Sequence, residues 1–183
     1  RSTATPLMLA CARANVAAAR LLLEHGADVA AADFNRKTAL HYAVYAGSVD
    51  TVAFLLERGP HLLDMQDADG RTPLMLAVWS RKIECARALI AHGCRLDLGD
   101  RDGMNPLHHC AKRGWHELLG EVIDALHRTE AGRLVRATIN ARNAEGDTPL
   151  HLAAAVASRS CIDVLRRNGA QVLLRDNAGW TPV

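Results

Sequence analysis

The stretch Thr148-Pro149-Leu150-His151-Leu152-Ala153-Ala154 reads as the start of a helix. A Thr whose hydroxyl caps free amide groups is followed by Pro, whose fixed φ and missing N–H suit the first helical turn. The phrase returns as Thr5-Pro6-Leu7-Met8, Thr38-Ala39-Leu40-His41, Thr72-Pro73-Leu74-Met75, Asn105-Pro106-Leu107-His108 and Thr181-Pro182-Val183. The intervals are 33 or 34 residues (5 to 38, 38 to 72, 72 to 105, 148 to 181), with one of 43 (105 to 148). Such a period marks a repeat architecture, and the full units outnumber the roughly three needed to bury a shared core.

Each interval has the same internal order. Five residues after the capping residue stands a small side chain, Ala10, Ala43, Ala77, Cys110 or Ala153, which lets neighbouring helices approach closely. A second apolar pair follows, Leu22-Leu23, Leu55-Leu56, Leu89-Ile90 and Val122-Ile123, and in three units a glycine, Gly26, Gly59 or Gly93. With Val49 and Val52 at helical spacing from Leu55-Leu56, this predicts an amphipathic second helix ended by a glycine in left-handed dihedrals. Between units lie Asp67-Ala68-Asp69-Gly70, Asp100-Arg101-Asp102-Gly103, Asn143-Ala144-Glu145-Gly146 and Asp176-Asn177-Ala178-Gly179, each an Asx–Gly turn projecting a short finger. The first finger has Arg36 in the glycine place, which leaves its turn type open.

The phrase at 148–154 and Leu21-Leu22-Leu23-Glu24-His25-Gly26-Ala27-Asp28-Val29 resemble ankyrin repeats almost word for word, and the likeness extends over the whole chain. The resemblance implies an all-α solenoid of L-shaped helix-turn-helix units with short β-hairpin-like fingers. It implies a curved array whose fingers and first helices line a concave, protein-binding face, with no cofactor and no chemistry. The expected organisation is a single domain over 1–183. Its units are approximately 1–33, 34–67, 68–100, 101–143 and 144–176, with the start of a sixth at 177–183. This start and stop give the look of a piece of a longer protein.

The fourth unit is about ten residues too long and has Leu126 where a glycine is expected. Its second helix is expected to run on, with the insertion at 126–138 forming an exposed, mobile protrusion, because Gly132 and the Arg residues there belong to no packing position. A lengthened unit led in by Gly93-Cys94 also resembles an internal repeat of the inhibitor-of-NF-κB proteins, which bind a transcription-factor dimer with their ankyrin stack.

Composition narrows the function. Only 4% of residues are aromatic, so the core is built from Leu, Val, Ile and Ala. The net charge of +2 gives no basic footprint for nucleic acid. Five cysteines, Cys11, Cys85, Cys94, Cys110 and Cys161, include no CxxC pair, which points to free thiols in a reducing, intracellular compartment, cytoplasmic or nuclear. No apolar run reaches membrane-spanning length, and no signal peptide is visible at Arg1-Ser2-Thr3.

His108-His109-Cys110 with His116 is the nearest approach to a metal constellation. The packing reading outweighs it, since His108 holds the His place of the repeat phrase and Cys110 the small-residue place. No phosphate loop or nucleophile elbow is present, and the Asp residues belong to turns, so no active site is expected.

The remaining residues have no role in the repeat. Tyr45, Trp79, Lys112, Arg113 and Trp115 lie seven to ten residues past their capping residues, at the inner end of the first helix. Phe34, Arg71 and Met104 sit on the fingers beside them, with Trp180 on the last. Trp, Tyr and Arg dominate interface energetics, so these eight residues, Trp180 aside, form the candidate partner-binding surface. Of the aromatics, Phe54 is expected to be interior and Tyr42 partly so. The expected partner is a protein or peptide with apolar and acidic side chains, bound by a monomeric scaffold or adaptor. The alternative is a regulatory or substrate-recruiting module of a larger enzyme, channel or ubiquitin-ligase subunit.

Overall fold

The computed structural model describes residues 4–129 and 132–182. Arg1-Ser2-Thr3, Glu130, Ala131 and Val183, with the expectations that fall on them, lie outside the described residues. Helices occur in pairs: α1 (Pro6–Ala12) and α2 (Val16–Glu24), α3 (Ala39–Ala46) and α4 (Val49–Arg58), α5 (Pro73–Trp79) and α6 (Ile83–Ala91), α7 (Pro106–Arg113) and α8 (His116–Thr129), then α9 (Gly132–Ile139), α10 (Pro149–Ala155) and α11 (Arg159–Arg167). The fold is the all-α helix-turn-helix repeat that the period predicts. Its one β-bridge among the described residues, Ala32 with Thr38, closes the first finger.

Every first helix begins at the expected capping residue, Thr5, Thr38, Thr72, Asn105 or Thr148. Where His stands three residues on, it joins the cap to the next finger. The Thr38 amide donates to His41 Nδ1 at 3.2 Å, and His41 Nε2 donates to the Arg71 carbonyl at 3.3 Å. His108 and His151 reach the carbonyls of Asp147 and Trp180 in the same way, each at 3.1 Å. Burial, partly offset by these carbonyls, lowers the pKa of His41 and takes that of His108 down to about 4.

The chain forms two compact units, residues 1–94 and 95–183. In the first, α1 packs on α3, α3 on α5, and α4 on α6; in the second, α7 packs on α10, and α8 on both α9 and α11. The small-residue positions lie at these contacts: Ala43, Ala77, Cys110 and Ala153 are fully buried, and Ala10 nearly so. All five cysteines are free and buried. Phe54 is buried as expected, with the guanidinium groups of Arg20 and Arg58 at 4.7 and 5.3 Å from its ring.

Two expectations are corrected. Gly26 and Gly93 take left-handed dihedrals, but Gly59 sits at φ −146°. Pro60 comes next, and the residue before a proline is pushed towards extended backbone. The chain turns instead into a short 3-10 helix, Pro60–Asp64. Arg36, conversely, takes φ +57°, the same left-handed turn as Gly70, Gly103 and Gly146.

The insertion is the second correction. α8 does run on, to Thr129, but the described residues beyond it form α9, a docked helix and not a protrusion. Leu126, Val135, Thr138 and Ile139 are buried, and the Asn105 side chain donates to the Thr138 carbonyl at 3.0 Å. Val135 and Ile139, four residues apart, give α9 an apolar stripe that settles on α8.

Candidate interaction surface

The residue seven past each cap is exposed throughout: Ala12, Tyr45, Trp79, Lys112 and Ala155. It stands in the last turn of a first helix, on the side away from the buried small residue two positions earlier. Tyr45 is 62% exposed and Trp79 42%. In the first compact unit the two aromatics share one groove of about 340 Å³, lined also by Asp33, Asn35, Lys37, His41, Tyr42, Arg71 and Leu76.

Three of the candidate residues, Tyr45, Arg71 and Trp79, are therefore brought together. Arg71 lies over the Trp79 ring at 5.7 Å and pairs with Asp69 at 3.3 Å. Phe34, 84% exposed, projects from the neighbouring finger and is not part of the groove lining.

The second unit treats its candidates differently. Lys112 and Arg113 are exposed in the last turn of α7, where a cation also suits the partial negative charge of the helix end. Trp115 is half-buried directly before α8; its amide donates to the Cys110 carbonyl at 3.0 Å and its carbonyl accepts from the Leu119 amide at 2.9 Å. Met104 is buried, 8% exposed, and this takes it off the accessible finger surface. The physical reason is its apolar side chain: Lys37 and Arg71, one residue before their own caps, stay part-exposed with charged heads in water, whereas Met104 folds inward.

Sequence reasoning missed a second periodicity. The finger acid five residues before the cap meets the side chain four residues after it. Tyr42 donates its hydroxyl to Asp33 Oδ2 at 2.7 Å, and His109 Nε2 lies 2.9 Å from Asp100 Oδ2. Burial, then the hydrogen bond and charge of Asp33, push the Tyr42 phenol up to about 12. Burial works against ionisation of Asp100, yet the His109 hydrogen bond and the Met104 and Asp102 amides hold its pKa below the usual value. In the third repeat the position is Leu76, and Asp67 Oδ2 is buried without a hydrogen-bond partner.

His108, His109 and Cys110 are committed to the cap, to Asp100 and to packing. Among the described residues a different trio converges, Asp147, His151 and Asp176, with ligand atoms within 4.8 Å of one another. Both His151 nitrogens are already engaged, Nδ1 with the Thr148 amide and Nε2 with the Trp180 carbonyl. No helix among the described residues is long and apolar enough to cross a membrane.

Comparison with known proteins agrees with the repeat architecture. The chain matches the family "Ankyrin repeats (3 copies)" over residues 2–63 and 61–126, and the family "Ankyrin repeat" over 145–177. It is 30% identical over 166 residues to the B-cell lymphoma 3 protein homolog of Mus musculus, covering 88% of this chain and 34% of that protein. It is 34% identical to Inversin of Gallus gallus over 72% of this chain and 11% of the relative. The E3 ubiquitin-protein ligase KEG of Arabidopsis thaliana matches at 32% identity over 73% of the chain and 8% of the ligase. The chain thus spans about a third or less of the length of these relatives.

Proposed function

Because the chain belongs to the ankyrin-repeat family, we propose that it is a non-catalytic protein-interaction module whose partner is held chiefly at Tyr45, Arg71 and Trp79. One observation carries this reading: two large aromatics, 62% and 42% exposed, share a groove in which capping and helix packing give neither a folding role. Large exposed apolar groups are costly in a solvated surface unless something covers them. Phe34 on the adjacent finger extends the surface. Lys112 and Arg113 offer cations at the corresponding helix end of the second unit, with Trp115 beside them. The small share of each relative that the chain matches supports a place within a larger protein, as its recruiting or regulatory part.

The test is affinity capture of partners with the wild type and the Tyr45→Ala/Trp79→Ala variant, followed by titration of one captured partner. Loss of about 2 kcal/mol or more of binding, with thermal stability almost unchanged, is the expected result. Loss of stability with affinity preserved would make the two aromatics part of the core.

A further inference from the structure

We infer that the groove of the first unit takes a partner segment that places a carboxylate beside an apolar side chain, which rests on the reading of Tyr45 and Trp79 as a binding surface. The lining holds two cations, Lys37 and Arg71, against one carboxylate, Asp33. Among the described residues, Lys37 contributes its amide to Asp33 and its ammonium to no hydrogen bond or ion pair, while the Asn35 side chain and the Tyr45 hydroxyl, likewise without partners, can each donate or accept and so leave the charge to decide. Arg71 has a carboxylate partner only in Asp69, whose side chain is 59% exposed, so that the pair is screened and weak.

The negative charge of the lining is already engaged. Asp33 is the one carboxylate in the lining, and each of its oxygens already accepts a hydrogen bond, from the Lys37 amide at 2.8 Å and the Tyr42 hydroxyl at 2.7 Å. Asp67 is buried beneath the finger, where its Oδ1 holds the amides of Asp69 and Arg71, each at 2.9 Å. A cationic segment would have to displace Arg71 from the Trp79 face and would meet Lys37 as well. A carboxylate meets both cations and replaces the screened Asp69 in front of Arg71. The apolar half of the requirement comes from Tyr45 and Trp79 as walls and Leu76, 4% exposed, as floor. A charged group standing alone would leave these surfaces in water.

A displayed library of random short peptides, selected on the intact protein and counter-selected on the Tyr45→Ala/Trp79→Ala variant, is the probe. The expected clones carry Asp or Glu next to an apolar residue. Exchanging the acid for its amide weakens binding about tenfold, and Lys37→Met or Arg71→Gln protein no longer distinguishes acid from amide. Clones that require Tyr45 and Trp79 but are basic, or indifferent to the acid-to-amide exchange, would overturn the carboxylate inference and leave the aromatic surface standing. Clones that bind the double variant equally well, or failure to recover any clone dependent on Tyr45 and Trp79, would overturn both.

Discussion

In the second and fourth repeats the finger carboxylate is held at both oxygens, whereas in the third it is held at one. Asp33 Oδ1 accepts from the Lys37 amide and Asp100 Oδ1 from the Asp102 and Met104 amides, and each Oδ2 meets a side chain of the first helix, Tyr42 or His109. Asp67 keeps the finger amides, but the equivalent helix position is Leu76, which offers no donor, and Asp67 Oδ2 is buried without a hydrogen-bond partner. An orphaned buried acceptor costs on the order of 1–3 kcal/mol. The unmet acid stands on the finger that carries Arg71, whose Nε is likewise buried without a hydrogen-bond partner, next to the groove where binding is proposed.

The largest expected effect is at the fully held acids. Asp100→Ala strips the Asp102 and Met104 amides of their acceptor and leaves the buried His109 ring unpaired, which should lower stability by about 3 kcal/mol. Asp67→Ala also frees two amides but removes an orphaned oxygen, so its cost should be smaller by about 1–2 kcal/mol. Equal losses in urea unfolding would mean that Oδ2 of Asp67 is satisfied in solution.

Exchanging the two helix side chains sharpens the comparison. Tyr42→Leu recreates the third repeat in the second and should cost about 2 kcal/mol; Leu76→Tyr does the reverse and should gain about 1 kcal/mol. A lower melting temperature for Leu76→Tyr would show that its hydroxyl does not reach Asp67.

The two held fingers also differ in the pH at which they let go. Tyr42 has a folded pKa raised to about 12 from 10.0, so its contribution is complete below pH 10 and fades as the pH climbs towards 12. Asp100 has a lowered folded pKa, so its contribution is complete above its ordinary value of 3.8 and is lost as the pH falls through the folded value. Acid also weakens the fold through His41 and His108, whose lowered pKa values make the unfolded chain the better proton binder below about pH 6.5. Tyr42→Phe should therefore flatten the alkaline limb of a stability–pH curve and leave the acid limb in place. An unchanged alkaline limb would assign that loss to other groups.

The fold was legible because the residues that make it recur in register: Thr or Asn caps, Leu and small residues bury, and the period carries each from one unit to the next. The exposed aromatics could be found by subtraction, since the repeat pattern assigns Tyr45 and Trp79 no capping or packing position. The contacts between finger and helix were hidden because Tyr42, Leu76 and His109 look unrelated, and only their shared offset from the cap shows that they do one job. Met104 was misplaced because its counterparts in the second and third repeats, Lys37 and Arg71, are charged and stay wet. The docking of the insertion was hidden for a similar reason. Gly132 and the Arg residues there fit no packing position of the repeat, whereas Val135 and Ile139 build a new buried stripe outside that pattern.

The smallest expected effect concerns the turn that the fingers share. Arg36 adopts φ +57° where Gly70 and Gly103 sit at +77° and +73°, so the first finger keeps a left-handed residue with a side chain. That conformation costs an L-residue about 1–2 kcal/mol, which Arg36→Gly would relieve. Glycine, however, has more freedom to lose on folding, about 0.5–1 kcal/mol relative to a residue with a Cβ. The two terms nearly cancel, and the variant should gain only a few tenths of a kcal/mol, at the edge of what thermal unfolding resolves. The reverse change, Gly70→Ala, carries the same two terms with their signs exchanged and should cost a few tenths of a kcal/mol. A clear destabilisation by Arg36→Gly would mean that the Arg36 side chain holds the first finger by contacts of its own, and the finger beside Phe34 would then be the stiffer wall of the binding surface.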